Sequence, residues 1–339
     1  MNTASDAWRS DPAAGAAPSP PAAALPAPAA PDARPAADWS RTPERSNALA
    51  LRAMCAFALV CGRRAARWIL VPITLYFFIT ATAPRRHAQR YLGRALGRPA
   101  GWRDTWRLFF SFASTILDRV YLLRNRLDLF DLTVDGGELV TAIAAAGRGA
   151  FLVGAHVGSF EALHAAGRSQ AGLRVAMVMY PDNARMISQA LAAIAPDAKP
   201  DIIALGRVDA MLRIRDWLDG GGFAGLLADR TLPGMSARTG SVTVPFLGRD
   251  AVFPDGPFRL AALLRRRVVF MAGVYEGGAT YRVRFEALAD FTTGDVDTAA
   301  RERRIRDAIA AYAARLEALC RERPYNWFNF HDFWREDEV

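Results

Sequence analysis

Residues 151–161 read Phe151-Leu-Val-Gly-Ala-His156-Val-Gly-Ser-Phe-Glu161, and the fold is decided where this run changes character. An apolar stretch of strand composition stops at a histidine, and the Gly-Ser-Phe-Glu that follows can open a helix. A histidine at that junction stands at the carboxyl end of a strand, where open α/β sheets place their chemistry. Imidazole is also the side chain best suited to move a proton near neutral pH.

The spacing from His156 to Glu161 constrains how the two can cooperate. Five positions on one helix lie about 140° apart, so a single helix would separate them. With His156 in the loop before the helix and Glu161 in its first turns, they can meet. The carboxylate would then fix the tautomer on one ring nitrogen while the other takes a proton. Ser159 is an alternative nucleophile, but Gly-x-His-x-Gly is not the Gly-x-Ser-x-Gly elbow. Ser159 sits where a helix N-cap belongs, and we read it as the cap. A buried structural histidine gives the same local pattern. A metal reading would recruit His164, but no further His, Cys or acidic cluster completes a ligand set, so no metal is expected.

Toward the carboxyl end, strand-like and helix-like runs alternate. Strands are expected at 150–155, 174–179, 202–205, 224–228, 242–246, 268–274 and 281–285, and helices at 160–168, 183–194, 208–218, 257–266 and 298–321. This alternation predicts an α/β fold, a mainly parallel sheet with helices on both faces. Asp229 and Arg230 end an expected strand on the same sheet edge as His156. They suit either an anionic or sugar head group or a structural ion pair. Asn183 and Arg185 follow another strand and suggest acceptor contact. The aromatic carboxyl terminus reads as core packing, with His331 structural.

Toward the amino end, residues 102–130 are helical by spacing. The run 68–82 carries no charge and is flanked by Arg63, Arg64, Arg67, Arg85 and Arg86. It is shorter than the roughly 20 residues of a membrane span, and its aromatics and arginines suit an interfacial anchor. A buried core helix and a span that borrows from 48–62 are the alternatives. Residues 1–45 are rich in Ala and Pro and should form a tether without a core. The organisation expected is therefore a tail (1–45), a membrane-anchoring helical region (46–100) and one catalytic domain (101–339).

Across 339 residues the chain is 52% hydrophobic and 23% charged, as a folded protein with a core should be. A net charge of +9 favours anionic partners, membrane lipid or an acidic protein. No zinc finger, RNA-binding signature or repeat accompanies it, so no nucleic-acid partner is expected. Cys55, Cys61 and Cys320 are too scattered for a disulfide framework.

Several blocks in order carry a resemblance. His156 and Glu161 form a histidine, four residues, then an acid. Gly-Leu-Leu-Ala-Asp229-Arg230 precedes Val244-Pro-Phe-Leu-Gly248, and Val268-Val-Phe-Met-Ala-Gly-Val-Tyr-Glu276 and Tyr325-Asn-Trp-Phe-Asn-Phe-His-Asp-Phe-Trp334 follow. Over about residues 50–335 the chain resembles the lysophospholipid acyltransferase superfamily, in the branch of late lipid A acyltransferases and related predicted acyltransferases. Arg230 stands where those lipid A enzymes have Gln. The resemblance implies a glycerol-phosphate-acyltransferase-like fold and an enzyme at the cytoplasmic face of a bacterial inner membrane. It would use no cofactor, with acyl-ACP or acyl-CoA as co-substrate and membrane lipids and acyl carrier protein as partners. His156 would be the general base on a hydroxyl or amine, oriented by Glu161, and no acyl-enzyme would form. The amides of Gly158 and Ser159 would be candidates for the oxyanion, and Asp229, Arg230, Asn183 and Arg185 would contact substrate. Hydrolysis of acyl esters or thioesters is the competing activity, and a non-catalytic lipid-binding module the competing class.

Overall fold

A computed structural model describes residues 48–171, 173–181, 194, 201–206, 209–231, 240–294 and 297–334. Within them a seven-stranded sheet runs in the order β1-β9-β8-β2-β5-β3-β4. The strands are β1 (Asp131–Asp135), β2 (Phe151–Gly154), β3 (Val175–Met179), β4 (Ile202–Ala204), β5 (Phe223–Leu227), β8 (Arg267–Gly277) and β9 (Thr280–Asp290). Every neighbouring pair is parallel except β8 with β9. The sheet is therefore mixed, with β9 and β1 running against the rest. The reversal is local chemistry: Gly277 and Gly278 take φ of 106° and 60°, as a tight hairpin turn requires. The expected strand at 242–246 lies outside this sheet. It is β6 (Ser241–Phe246), paired antiparallel with β7 (Arg249–Pro254) in a separate hairpin.

Alternation along the central strands buries both faces of the sheet. Phe151 and Val153 of β2, with Val268 and Phe270 of β8, join one core with helices α7 (Gly256–Leu263) and α8 (Thr298–Glu322). Leu152 of β2, with Val269 and Met271 of β8, joins another with α4 (Gly137–Ala145) and α5 (Phe160–Ala171). Helix α6 (Ala210–Asp219) lies on the first side through Ile214 and Leu218.

The amino-terminal helices are packed elements of the same body. Helix α1 (Ala48–Thr80) is kinked at Gly62, whose φ of 82° and ψ of 164° are not helical. Its Cys55, Ala58, Ala66 and Leu70 are buried against Leu117, Val120 and Tyr121 of α3 (Trp102–Leu122). Arg63 meets Asp118 of α3 bidentately at 2.7 and 2.8 Å, and Tyr281 of β9 donates to the same carboxylate at 2.7 Å. This fork is geometrically specific and ties the helix to the sheet. Helix α2 (Thr82–Leu96) follows at a sharp bend. No single described helix is long and apolar enough to cross a membrane; the pair Ala53–Thr80 and Thr82–Leu96, bent by 94°, passes by length and composition only.

Candidate active site

Strand register brings the chemistry together. Gly154 of β2 pairs with Leu227 of β5. His156 lies two residues beyond the first and Asp229 two beyond the second, so they emerge side by side at the carboxyl edge. The Asp229 carboxylate takes three hydrogen bonds. His156 Nδ1 lies 2.9 Å from Oδ1, while the His156 backbone N–H (3.0 Å) and the Trp327 indole N–H (2.9 Å) donate to Oδ2. Asp229 is 1% exposed. Burial pushes its pKa up, but the charge and hydrogen bond of His156, the charge of Arg230 and the Trp327 bond outweigh it. The net result lies well below the usual carboxylate range. An ionised Asp229 on Nδ1 fixes the Nδ1–H tautomer, which leaves Nε2 to act as the base on a side chain about a third exposed (33%).

This arrangement corrects the pairing drawn from local spacing: the carboxylate on His156 is Asp229 and not Glu161. The helix does begin between them, at Phe160. Glu161, however, is taken by Arg119 of α3, whose Nε lies 2.6 Å from Oε1, and by the Ser159 hydroxyl at 3.2 Å. Ser159 also accepts from the Ala162 N–H at 3.1 Å, so it is the N-cap of α5. It is buried, and its hydroxyl is committed to that cap and to Glu161.

The expected oxyanion donors are also engaged elsewhere. Gly158 N–H bonds Asn326 O at 2.9 Å, and Ser159 N–H bonds Gly273 O at 2.7 Å. These bonds hold the histidine loop against Gly273 of β8 and against the carboxyl-terminal segment at Asn326. Gly158 adopts φ of 58°, and a Cβ there would lie 2.0 Å from Gly273 O. A Cβ on Gly273 would lie 2.1 Å from Ser159 O, so the two backbones can approach this closely only as glycines.

The carboxyl-terminal segment closes the other side. Phe328 N–H donates to His156 O at 2.9 Å, and Asn326 uses both amide atoms on the Tyr275 backbone at 2.7 and 3.0 Å. Arg230 follows Asp229 into this wall, its Nη2 3.4 Å from Phe328 O. Burial depresses its pKa, and the Asp229 charge opposes that. Burial, and then the Arg230 charge, hold His331 down to about 3, so it is neutral at physiological pH. Asn183 and Arg185, with all of the expected helix 183–194 but its last residue, lie outside the described residues. Among the described residues no group of three or more His, Cys, Asp or Glu stands close enough to hold a metal ion.

Trp327, Arg119 and Asn326 were not expected at the site. Trp327 looks like a core aromatic, and it is one: fully buried, with only its N–H spent on chemistry. Arg119 sits in a helix whose aromatic face dominates its pattern, and nothing local links it to residue 161.

Among the described residues, then, a buried acid holds a partly exposed imidazole at the carboxyl edge of a mixed α/β sheet, an arrangement suited to moving a proton. The chain belongs to the bacterial lipid A biosynthesis acyltransferase family, whose profile matches residues 100–336. It is thus an acyltransferase acting on lipid. No individual curated protein matches it.

Proposed function

We propose that this enzyme moves a fatty acyl group from an acyl-ACP or acyl-CoA thioester to a hydroxyl or amine of a lipid or glycolipid acceptor at a membrane surface. The Nδ1–Asp229 bond, which leaves Nε2 of the partly exposed His156 ring to act as the base, carries the reading. Nε2 takes the acceptor proton as the oxygen or nitrogen attacks the thioester carbonyl. The C–S bond then breaks, and the proton returns to the departing thiolate. Asp229 stabilises the imidazolium between the two steps. The buried, committed Ser159 hydroxyl supports direct transfer with no acyl-enzyme. Arg230 supplies positive potential for the oxyanion, in place of the Gly158 and Ser159 amides. The apolar side chains that α1 leaves exposed, Val60, Trp68, Tyr76 and Ile79 among them, meet the lipid at the cytoplasmic face of a bacterial inner membrane.

The test is His156→Ala, purified with its membrane binding and thermal unfolding checked. Transfer of radiolabelled acyl chain to a lipid A precursor should fall at least about 100-fold while the fold persists. Wild-type transfer by this variant would end the proposal. Free fatty acid formed equally with and without acceptor would replace transfer by hydrolysis.

A further inference from the structure

Two asparagines three residues apart at the carboxyl terminus are used differently. Asn326 spends its carboxamide on the Tyr275 backbone. Asn329 is 1% exposed, and neither its Oδ1 nor its Nδ2 has a hydrogen-bond partner. A carboxamide can make up to about four hydrogen bonds, and burying it unpaired costs stability that an apolar side chain of similar volume would not lose. Such a group calls for an explanation, and a partner supplied by a bound substrate is one.

Its neighbours place it at the catalytic site. The preceding residue, Phe328, donates its N–H to His156 O at 2.9 Å and accepts Arg230 Nη2 at 3.4 Å. Phe328 and Phe330 both pack edge-on against Phe112 of α3, with ring centroids 5.1 and 5.2 Å away. Asn329 lies between them in the chain, one residue past the Phe328 backbone that holds both His156 and Arg230, and its own N–H closes a tight turn on Trp327 O at 2.9 Å. Asn329 is neutral, so it does not call for an ionic ligand. What it lacks is one partner that brings both a donor and an acceptor in fixed geometry.

We propose that Asn329 is a substrate-binding residue whose carboxamide pairs with a secondary amide of a substrate beside His156. The inference rests on the acyl-transfer reading above. Two substrates carry that group: the pantetheine arm of the thioester donor and the amide-linked acyl chains of a lipid A-type acceptor.

Asn329→Leu and Asn329→Ala, made in the full chain in detergent micelles, test it. Lauroyl-CoA and lauroyl-ACP serve as donors and a lipid A precursor as acceptor. Asn329→Leu should hold or raise Tm while kcat/KM falls about tenfold or more. A rise in the donor KM assigns the pantetheine amide, and a rise in the acceptor KM assigns the acceptor amide. Wild-type kcat/KM for both substrates overturns the inference. So does loss of Tm in step with activity, or failure of both variants to fold, because each marks Asn329 as structural. A wild-type enzyme that transfers nothing sinks the acyl-transfer reading and this inference with it, whereas an active wild type with an equally active Asn329→Leu sinks this one alone.

Discussion

At the scale of single residues two carboxylates flank the histidine loop, and geometry separates their roles: Asp229 meets the imidazole, and Glu161 meets Arg119 and Ser159. Asp229 accepts three hydrogen bonds, two from His156 and one from Trp327. In Asp229→Asn the amide nitrogen must point a donor at one of those donors, leaving a buried N–H unpaired. The substitution should cost about 1–3 kcal/mol of stability. It should also lower kcat at least about 100-fold, because the Nδ1–H tautomer is no longer enforced. Glu161 touches Arg119 and Ser159, at a partly exposed edge where an ion pair contributes about 0–1 kcal/mol. Glu161→Gln keeps an acceptor for Ser159 and should cost less than about tenfold in kcat. Steady-state kinetics and chemical denaturation of the two variants give the ordering. A Glu161→Gln enzyme less active than Asp229→Asn would return the orienting role to Glu161.

At the scale of elements the histidine loop is held by close backbone approach as much as by side chains. Gly158→Ala puts a Cβ 2.0 Å from Gly273 O at a φ of 58°, so the loop must move, and His156 is two residues away. About 2 kcal/mol or more of stability should be lost, together with most activity. Gly256→Ala is the control: a Cβ there meets nothing within 4 Å, and stability should change by less than about 0.5 kcal/mol. Thermal melts of both variants check the contrast. The same loop shows how much was legible beforehand. Strand β2, the helix start and the Ser159 cap are local, and apolar runs with cap chemistry reveal them. That β2 lies beside β5 is a long-range choice among similar apolar strands. Local spacing therefore pointed to Glu161, five residues on, where strand register supplies Asp229, 73 positions away. The β8–β9 reversal was written in Gly277-Gly278 but reads as one more alternation if only strand composition is weighed. Trp327 and Asn329 lay hidden in an aromatic run whose packing role is also real.

At the scale of the whole molecule, α1 has two sides, and that decides how the proposed membrane role can be tested. One side is spent on the domain: the Arg63–Asp118 fork, the Tyr121 hydroxyl on Ala58 O, and buried Cys55, Ala66 and Leu70. Removing the helix would strip the cover from α3 and leave Asp118 buried without its cation, so truncation confounds unfolding with release. The other side is apolar and exposed, with Val60 at 86%, Trp68 at 79%, Tyr76 at 56% and Ile79 at 59%. A soluble surface loses free energy by holding such groups in water, and each stands to gain up to about 1.5–3 kcal/mol on entering lipid. The triple variant Val60→Glu, Trp68→Glu, Ile79→Glu changes only this side and should fold with a Tm close to that of the wild type. In cosedimentation with vesicles of anionic and zwitterionic lipid, it should shift from the pellet to the supernatant. The +9 charge offers a rival attraction, and salt separates the two. Binding through apolar insertion should persist at 0.5 M salt, whereas binding through charge alone should fade as the Debye length shrinks to a few ångströms. A triple variant that still pellets on both lipids at high salt would place the membrane contact elsewhere on the chain.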